Sequence, residues 1–452
     1  MTDTLTVFGN TFTGVTGIKA SDNNSQIKTY VRPQGTLSVT QNGTGIDVTN
    51  YAAVDVSVSG GSPTIVEEND VIFADYDGTL LHSYSASEFL ALSALPGNPS
   101  HSGLIAEGWN WTLSDAKDYV TEYGYLTIGQ TYITSDGKTK IYYEIDKDES
   151  LYYPASIYFA TSVLGGVTIH WGDGSTTVTD STTAKLYTHT YLVTGTYIIE
   201  LEVTSGTVIL QGNSGNPNNS IGGQGGTENA YNKTRFKKVL CGSNVVISGA
   251  PFFTLRNLEI VSFSSTTLFN SPEYLFYSSQ SLNCVVIPDG ITSVSNSMFR
   301  NTYIRYLSLP NSIETIDGYG LASIYKLRKI EIPQNLTSMG TYAFNGLQGS
   351  PGFIKIPEGI TSILSYTFSN DYRVAFVIIP STVTSIATYA FSGLSGCKEI
   401  HFKSASPPTV ANARAFDALP TTCTIYVPTG KLSAYTSATN YPSSSTYTYV
   451  EE

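Results

Sequence analysis

What the sequence lacks narrows it first. Charged residues make up only 13% of its 452 positions, about half the usual share for a soluble domain. Lys and Arg number 24 against 36 Asp and Glu, a formal charge of −12. So few basic residues leave no positive face for nucleic acid or an anionic membrane surface. Only four cysteines occur, Cys241, Cys284, Cys397 and Cys423, none in a C-x-x-C pair. That excludes a disulfide-stapled scaffold, and the four are expected to be reduced, buried thiols. No apolar run approaches the roughly 18 residues that span a bilayer. The start, Met1-Thr-Asp-Thr-Leu-Thr-Val-Phe-Gly-Asn10, has no basic residue and no long apolar stretch, so it does not read as a secretory signal. The five histidines, at 82, 101, 170, 189 and 401, keep no metal-ligand spacing.

What is present points to β-structure. Tyr reaches 32, Gly 40 and Pro 19, while 41% of residues are hydrophobic. A neutral, Tyr-rich chain suits strands with solvated faces rather than the helical layers of a metabolic enzyme. At roughly 150 residues per domain, about three domains are expected.

The strongest signal is a repeat over 235–430. Proline closes successive apolar runs at Pro288, Pro310, Pro333, Pro357 and Pro380, in steps of 22, 23, 24 and 23 residues. Eleven residues after each marker stands Phe299, Leu321, Phe344, Phe368 or Phe391. Apolar residues also recur three and six places after the marker, and one and three places before it. Two earlier units fit less well, with Phe253 and Phe276 in the large-residue slot, and the register decays after Lys403. A period near 23 with five apolar slots predicts a solenoid whose turns stack over one core. Runs such as Lys329-Ile-Glu-Ile-Pro333 alternate as short strands do, and the proline stops each strand. The segment Ile379-Pro-Ser-Thr-Val-Thr-Ser-Ile-Ala-Thr-Tyr-Ala-Phe391 resembles leucine-rich repeats of the bacterial surface-antigen type.

Upstream, Thr168-Ile-His-Trp-Gly-Asp-Gly-Ser175 and Thr188-His-Thr-Tyr191 precede a strictly alternating stretch at Tyr197, Ile199, Leu201 and Val203. The set resembles an immunoglobulin-like sandwich of the polycystic-kidney-disease type, with His189 as a structural hydrogen-bonder. Residues 212–226, rich in Gly and Asn without apolar period, read as a flexible linker or a long surface loop. Few contacts should cross it, so that 235–452 would fold alone. Thr112 is expected to cap a helix over 114–122 with Ala116, Tyr119 and Val120 on one face. Residues 1–64 resemble amino-terminal segments of tail and other virion proteins of gut-bacterial phages and prophages. Gly108-Trp-Asn-Trp111 and its surroundings look like a further module of such proteins.

One segment carries an enzymatic pattern. Val71-Ile-Phe-Ala-Asp-Tyr-Asp-Gly-Thr-Leu80 resembles the first motif of haloacid-dehalogenase phosphatases. That resemblance implies Asp75 as nucleophile and Asp77 as general acid/base, with magnesium between them. The downstream Ser/Thr, Lys and acidic pair are missing, so the pattern reads as a turn closing a strand. The acidic run Glu144-Ile-Asp-Lys-Asp-Glu149 lacks the Gly and Glu of a calcium loop. The expectation is no catalysis, no metal and no cofactor.

A binding surface is better marked. Two residues before the large apolar slot, Tyr recurs at Tyr274, Tyr319, Tyr342, Tyr366 and Tyr389, followed by small residues such as Ala343, Thr367 and Ala390. Stacked turns would align these five as an aromatic row, either turned outward to take a ligand or packed on the preceding turn as a shield. The whole is expected to be mainly β: a docking module at 1–64, a small α+β module at 65–149, an Ig-like sandwich at 150–211, a linker at 212–234, a leucine-rich-repeat solenoid at 235–430 and a tail at 431–452. The function these features suggest is that of a non-enzymatic phage virion protein, a tail-fibre or receptor-binding component. It would be made in the host cytoplasm and be homo-oligomeric in the particle. Residues 1–64 would join other virion proteins and the solenoid would hold a bacterial surface glycan or protein. The alternatives are a capsid-decorating or baseplate protein and a bacterial surface adhesin. No nucleic-acid or membrane partner is expected.

Overall fold

The computed structural model describes residues 70–146, 154–216, 218–223, 233–329, 331–347 and 352–452, and for residues 4–67 the strand backbones only. The chain is mainly β and divides into two compact units.

The first unit comprises Met1–Phe73, Leu80–Pro96 and Thr112–Ile128. Thr4–Val7 is antiparallel to Asn10–Thr13 and to Gln26–Thr29, and the strands that follow pair in parallel with one another. Ile18–Ala20, Thr36–Gln41 and Asp55–Ser59 form one sheet, and Gln26–Thr29, Asp47–Asn50 and Ile65–Glu67 run parallel in another. This arrangement, a second small run of stacked turns, carries no proline marker in the sequence. The docking role expected for 1–64 falls on residues whose side chains lie outside those described. Helix Leu113–Tyr123 starts at Thr112, whose Oγ1 accepts from Asp115 N at 3.2 Å, and ends at Gly124 with φ 79°. Ala116, Tyr119 and Val120 are buried, as the spacing predicts. A shorter helix, Ala86–Ala91, follows a capping box between Ser85 and Glu88, an S-x-x-E signal that the sequence holds at that position.

The second unit contains the sandwich and the solenoid, joined without a break. One sheet runs in the order 176–178, 167–170, 195–203, 139–145, 236–240, 260–262; the other runs 185–189, 155–161, 208–212, 245–249, 268–270. Thr139–Ile145 is antiparallel to both Gly195–Val203 and Phe236–Leu240, so the sandwich begins before residue 150. Val208–Gly212 then pairs in parallel with Val245–Gly249, and each sandwich sheet passes directly into solenoid strands. One hydrophobic core extends from Ile141 to Tyr435. This corrects the flexible linker and the separable solenoid. In the described part of 212–226, Asn213 N donates to Asn219 O at 2.8 Å and Ile221 is fully buried, its N–H bonded to Pro251 O. Residues 224–232 lie outside the described residues.

Within the solenoid the apolar slots fall as the period requires. Phe299, Leu321, Phe344, Phe368 and Phe391 are all buried, as are Val294, Ile316, Met339, Ile363 and Ile386; Val294, Ile316 and Met339 pair in register turn to turn, and so do Ile363 and Ile386. Two details differ. Phe252, not Phe253, fills the large slot of the first turn, stacking on Phe276 at 5.6 Å. Past Lys403 the turns continue through Thr409–Val410, the 3-10 helix Ala413–Phe416 and Thr424–Val427, with Phe416 stacked on Phe391 at 5.8 Å. The expected tail is part of the fold: Thr448–Glu451 extends the sheet in parallel with Thr424–Val427, and Tyr435 is fully buried.

Candidate functional site

The tyrosine row begins with a turn that must change direction between two short strands. Tyr319, Tyr342, Tyr366 and Tyr389 all adopt left-handed backbone, with φ of 58°, 62°, 61° and 62°. That conformation costs a non-glycine residue about 1–2 kcal/mol, and here it turns N–H groups along the solenoid axis. Tyr319 N donates to Thr341 O and Tyr342 N to Ser365 O, each in the next turn. Ala343, Thr367 and Ala390 go fully into the core, which leaves the rings half-buried on the outside.

Turn spacing then decides the geometry. Strands in a sheet lie about 4.8 Å apart, close to the separation of stacked rings. The Tyr319–Tyr342, Tyr342–Tyr366 and Tyr366–Tyr389 centroids are 4.5, 4.4 and 4.7 Å apart, with interplanar angles of 6°, 5° and 17°. Burial, followed by the phenols of Tyr319 and Tyr366, holds the Tyr342 hydroxyl above its ordinary pKa. A cation closes each end of the stack. The Arg300 guanidinium sits 4.1 Å from the Tyr319 centroid, and Arg414 donates to the Tyr389 hydroxyl at 2.5 Å.

Tyr274 does not join. The turn between it and Tyr319 carries Ser297 in the tyrosine slot, and Arg300 takes the place of the missing ring, also 5.9 Å from Tyr277. Tyr274 packs instead beside Phe253 and Tyr277. The row is therefore four rings and two arginines. Neither arginine was singled out from sequence, although a Ser in a Tyr column with Arg three residues on is a readable signal. Because each inner ring has neighbours on both faces, the row offers ring edges and a file of hydroxyls rather than open faces.

The D-x-D-G-T segment follows the buried strand Val71–Ala74. Asp75 is buried; its Oδ1 accepts from the Tyr132 hydroxyl at 2.7 Å and from Tyr76 N at 2.9 Å, and its Oδ2 lies 2.6 Å from His101 Nε2. Asp77 Oδ1 accepts from Thr79 N, and Gly78 at φ 89° lets the chain fold back, with Asp75 N bonded to Thr79 O. Burial first, then the bond to Asp75, pushes the Tyr132 phenol far above its ordinary pKa. The nearby Lys238 is turned to Tyr76, 3.3 Å from its hydroxyl, and burial lowers its pKa. Both Asp75 oxygens are thus engaged by the protein itself. His189 bonds Asp173 at 2.6 Å and stacks on Trp171 at 5.0 Å, which ties the end of strand Lys185–His189 to the turn after His170. Among the described residues no group of three or more His, Cys, Asp or Glu gathers in metal-binding geometry. None of their helices is long and apolar enough to cross a membrane.

Parallel two-residue strands every 22–24 residues, a buried phenylalanine column and left-handed tyrosine turns define the repeat, and the comparisons agree. Residues 227–351 and 322–438 match the BspA type leucine rich repeat region, in six copies. The chain carries BspA-type leucine-rich repeats. Among solved structures, it is similar to a leucine-rich repeat protein from Bacteroides ovatus, at 16% identity over 48% of this chain and 66% of that one, with a TM-score of 0.32. A leucine rich cell surface protein from Faecalibacterium prausnitzii is similar at 18% identity, 48% and 84% coverage and a TM-score of 0.25. The pneumococcal vaccine antigen PcpA follows at 13% identity, 46% and 78% coverage and a TM-score of 0.20. No curated protein matches the chain. The tyrosine ladder lies within the BspA-type region, on turns 319 to 389.

Proposed function

We propose that this chain is a non-enzymatic adhesion protein whose BspA-type solenoid contacts a glycan or protein on another surface through the Tyr319–Tyr389 ladder. One observation carries the reading. Four identical aromatic residues hold a strained backbone conformation in the same slot of successive turns, with their edges outward and an arginine at each end. A core needs no such column, since the fully buried phenylalanines already fill that role. The surface-antigen resemblance of the repeats favours presentation on a bacterial cell.

Attachment to a phage particle is the second reading, and the resemblance of residues 1–64 to virion segments supports it. In either setting the sandwich, read as polycystic-kidney-disease type, spaces the solenoid from its base. The test is binding of the full chain to intact gut bacteria and to arrayed glycans, beside a Tyr342→Ala, Tyr366→Ala double variant. Binding should fall at least tenfold while circular dichroism stays unchanged. Undiminished binding by a folded double variant removes the ladder from the function. Antibody labelling of intact cells against purified particles separates the two settings.

A further inference from the structure

We infer that the prolines ending the solenoid strands are docking sockets, and that Asn110 and Trp111 are the plugs that fill two of them. The argument begins with the hydrogen-bond pattern of parallel strands. Cys284–Val286 pairs with Tyr306–Ser308, with Val286 opposite Ser308, and the next bond runs from Ile287 N to Ser308 O at 3.0 Å. In that register the Ile287 carbonyl would accept the N–H of residue 310. Residue 310 is proline, which has none. By the same sequence step, 23 residues on from Pro310, the Leu309 carbonyl would face Pro333. Where the slot is not proline the bond forms: Lys403 N donates to Ile379 O at 3.0 Å.

The two carbonyls so vacated are the ones that the Gly108-Trp-Asn-Trp111 segment reads. Asn110 Nδ2 donates to Ile287 O at 2.9 Å and lies 3.3 Å from Ser308 O, while Trp111 Nε1 donates to Leu309 O at 2.9 Å. Asn110 Oδ1 accepts in turn from Gly129 N and from the Ser308 hydroxyl. Both side chains are buried, so an unmatched carbonyl there would be costly. Gly129 lies against Val286, where an ideal Cβ would come within 2.4 Å of a valine methyl. The plug chemistry is planar N–H, a carboxamide and an indole, which fits the narrow gap that a missing backbone N–H leaves. The prolines therefore do more than stop strands. At two of these turns the carbonyl that the proline leaves is taken by the segment Gly97–Trp111.

A double-mutant cycle on the full chain tests this, read by hydrogen exchange of the amides in 104–109 and 129–134. Trp111→Phe removes the indole donor and should speed exchange roughly tenfold, the factor for a buried group losing about 1.4 kcal/mol. Pro333→Ala restores a backbone N–H opposite Leu309 O, so in that background the same Trp111→Phe change should cost about threefold or less. Trp111→Phe with Pro357→Ala, a proline that faces a different carbonyl, should show the full tenfold effect. Equal factors in all three backgrounds would overturn the proposal. If Pro333→Ala proves unfolded, the cycle of Asn110→Leu with Pro310→Ala gives the same decision, with coupling supporting the sockets and additivity refuting them.

Discussion

Replacing Phe368 with Ala is the sharpest test of how the solenoid is held. Phe368 is fully buried between Phe344 at 5.1 Å and Phe391 at 5.6 Å, so both of its faces are in contact. Truncating a buried Phe costs about 3–5 kcal/mol, the upper end applying where the walls cannot collapse. Here they are pinned: Phe344 N bonds Thr367 O and Phe368 N bonds Ala390 O, each at 2.9 Å. Pro357→Ala is the matched control. It loosens the unfolded chain by about 0.4–1 kcal/mol, and adds an N–H at a ladder position that returns about 1 kcal/mol. Its net effect should stay within about 1 kcal/mol of zero. Calorimetry on the full chain measures both. Since one core runs from Ile141 to Tyr435, the loss should appear in one transition covering sandwich and solenoid. Phe368→Ala should lower its midpoint by roughly 4–8 °C, and Pro357→Ala by a degree or two at most. Comparable drops for the two variants would mean that the apolar column is not what carries the stacking.

Three further outcomes follow. The protein should show no magnesium-dependent hydrolysis of a generic phosphoester, and Asp75→Asn should instead destabilise it by about 1–3 kcal/mol through Tyr132 and His101; hydrolysis that vanishes in the variant would reverse this. Asp371 is fully buried, with Oδ1 accepting from Leu347 N and Oδ2 without a partner among the described residues, and burial raises its pKa well above the ordinary carboxylate value. With the folded pKa raised above the unfolded one, its contribution to stability is full below about pH 3.9 and declines as pH rises above that; denaturant titrations at pH 3.5 and pH 7 should show a slope that Asp371→Asn flattens. Residues 235–452 alone should expose the edges left by Thr139–Ile145 and Val208–Gly212 and aggregate, whereas 135–452 should be soluble; a monomeric, folded 235–452 fragment would show that the shared sheets are dispensable.

The solenoid could be read from the chain because its signals are local. A proline, two apolar pairs and a large residue recur within 23 positions, and each reports on its own turn. The Thr112 cap is equally local, a hydroxyl three residues before the N–H it accepts. Where those markers are missing, the reading slipped. The first turn has Gly242 in the proline slot, and counting from it points to Phe253 where the core residue is Phe252. The strands of 18–67 pair in parallel with one another, but Pro33 and Pro63 give no repeating step to count by. The joined sheets depend on pairing Thr139–Ile145 with Phe236–Leu240, nearly a hundred residues away. Alternation in Lys140-Ile-Tyr-Tyr-Glu-Ile145 says strand and nothing about the partner.

The tyrosine row shows the same boundary within a single feature. Sequence places the rings in one column, but whether column-mates touch depends on the rise between turns. Parallel strands impose about 4.8 Å, which leaves no room for a ligand ring or sugar between neighbours, and the observed 4.4–4.7 Å confirms contact. A wider rise would have made the same residues into separate stacking platforms. At this rise the negative ring faces are spent on one another and on Arg300. What remains outward is the positive ring edge and the phenol. Ser297 is the counter-example that makes the point, because one missing ring let an arginine into the stack and cut Tyr274 away from it. The period determines where the tyrosines stand, and the backbone spacing determines which part of them another molecule can reach.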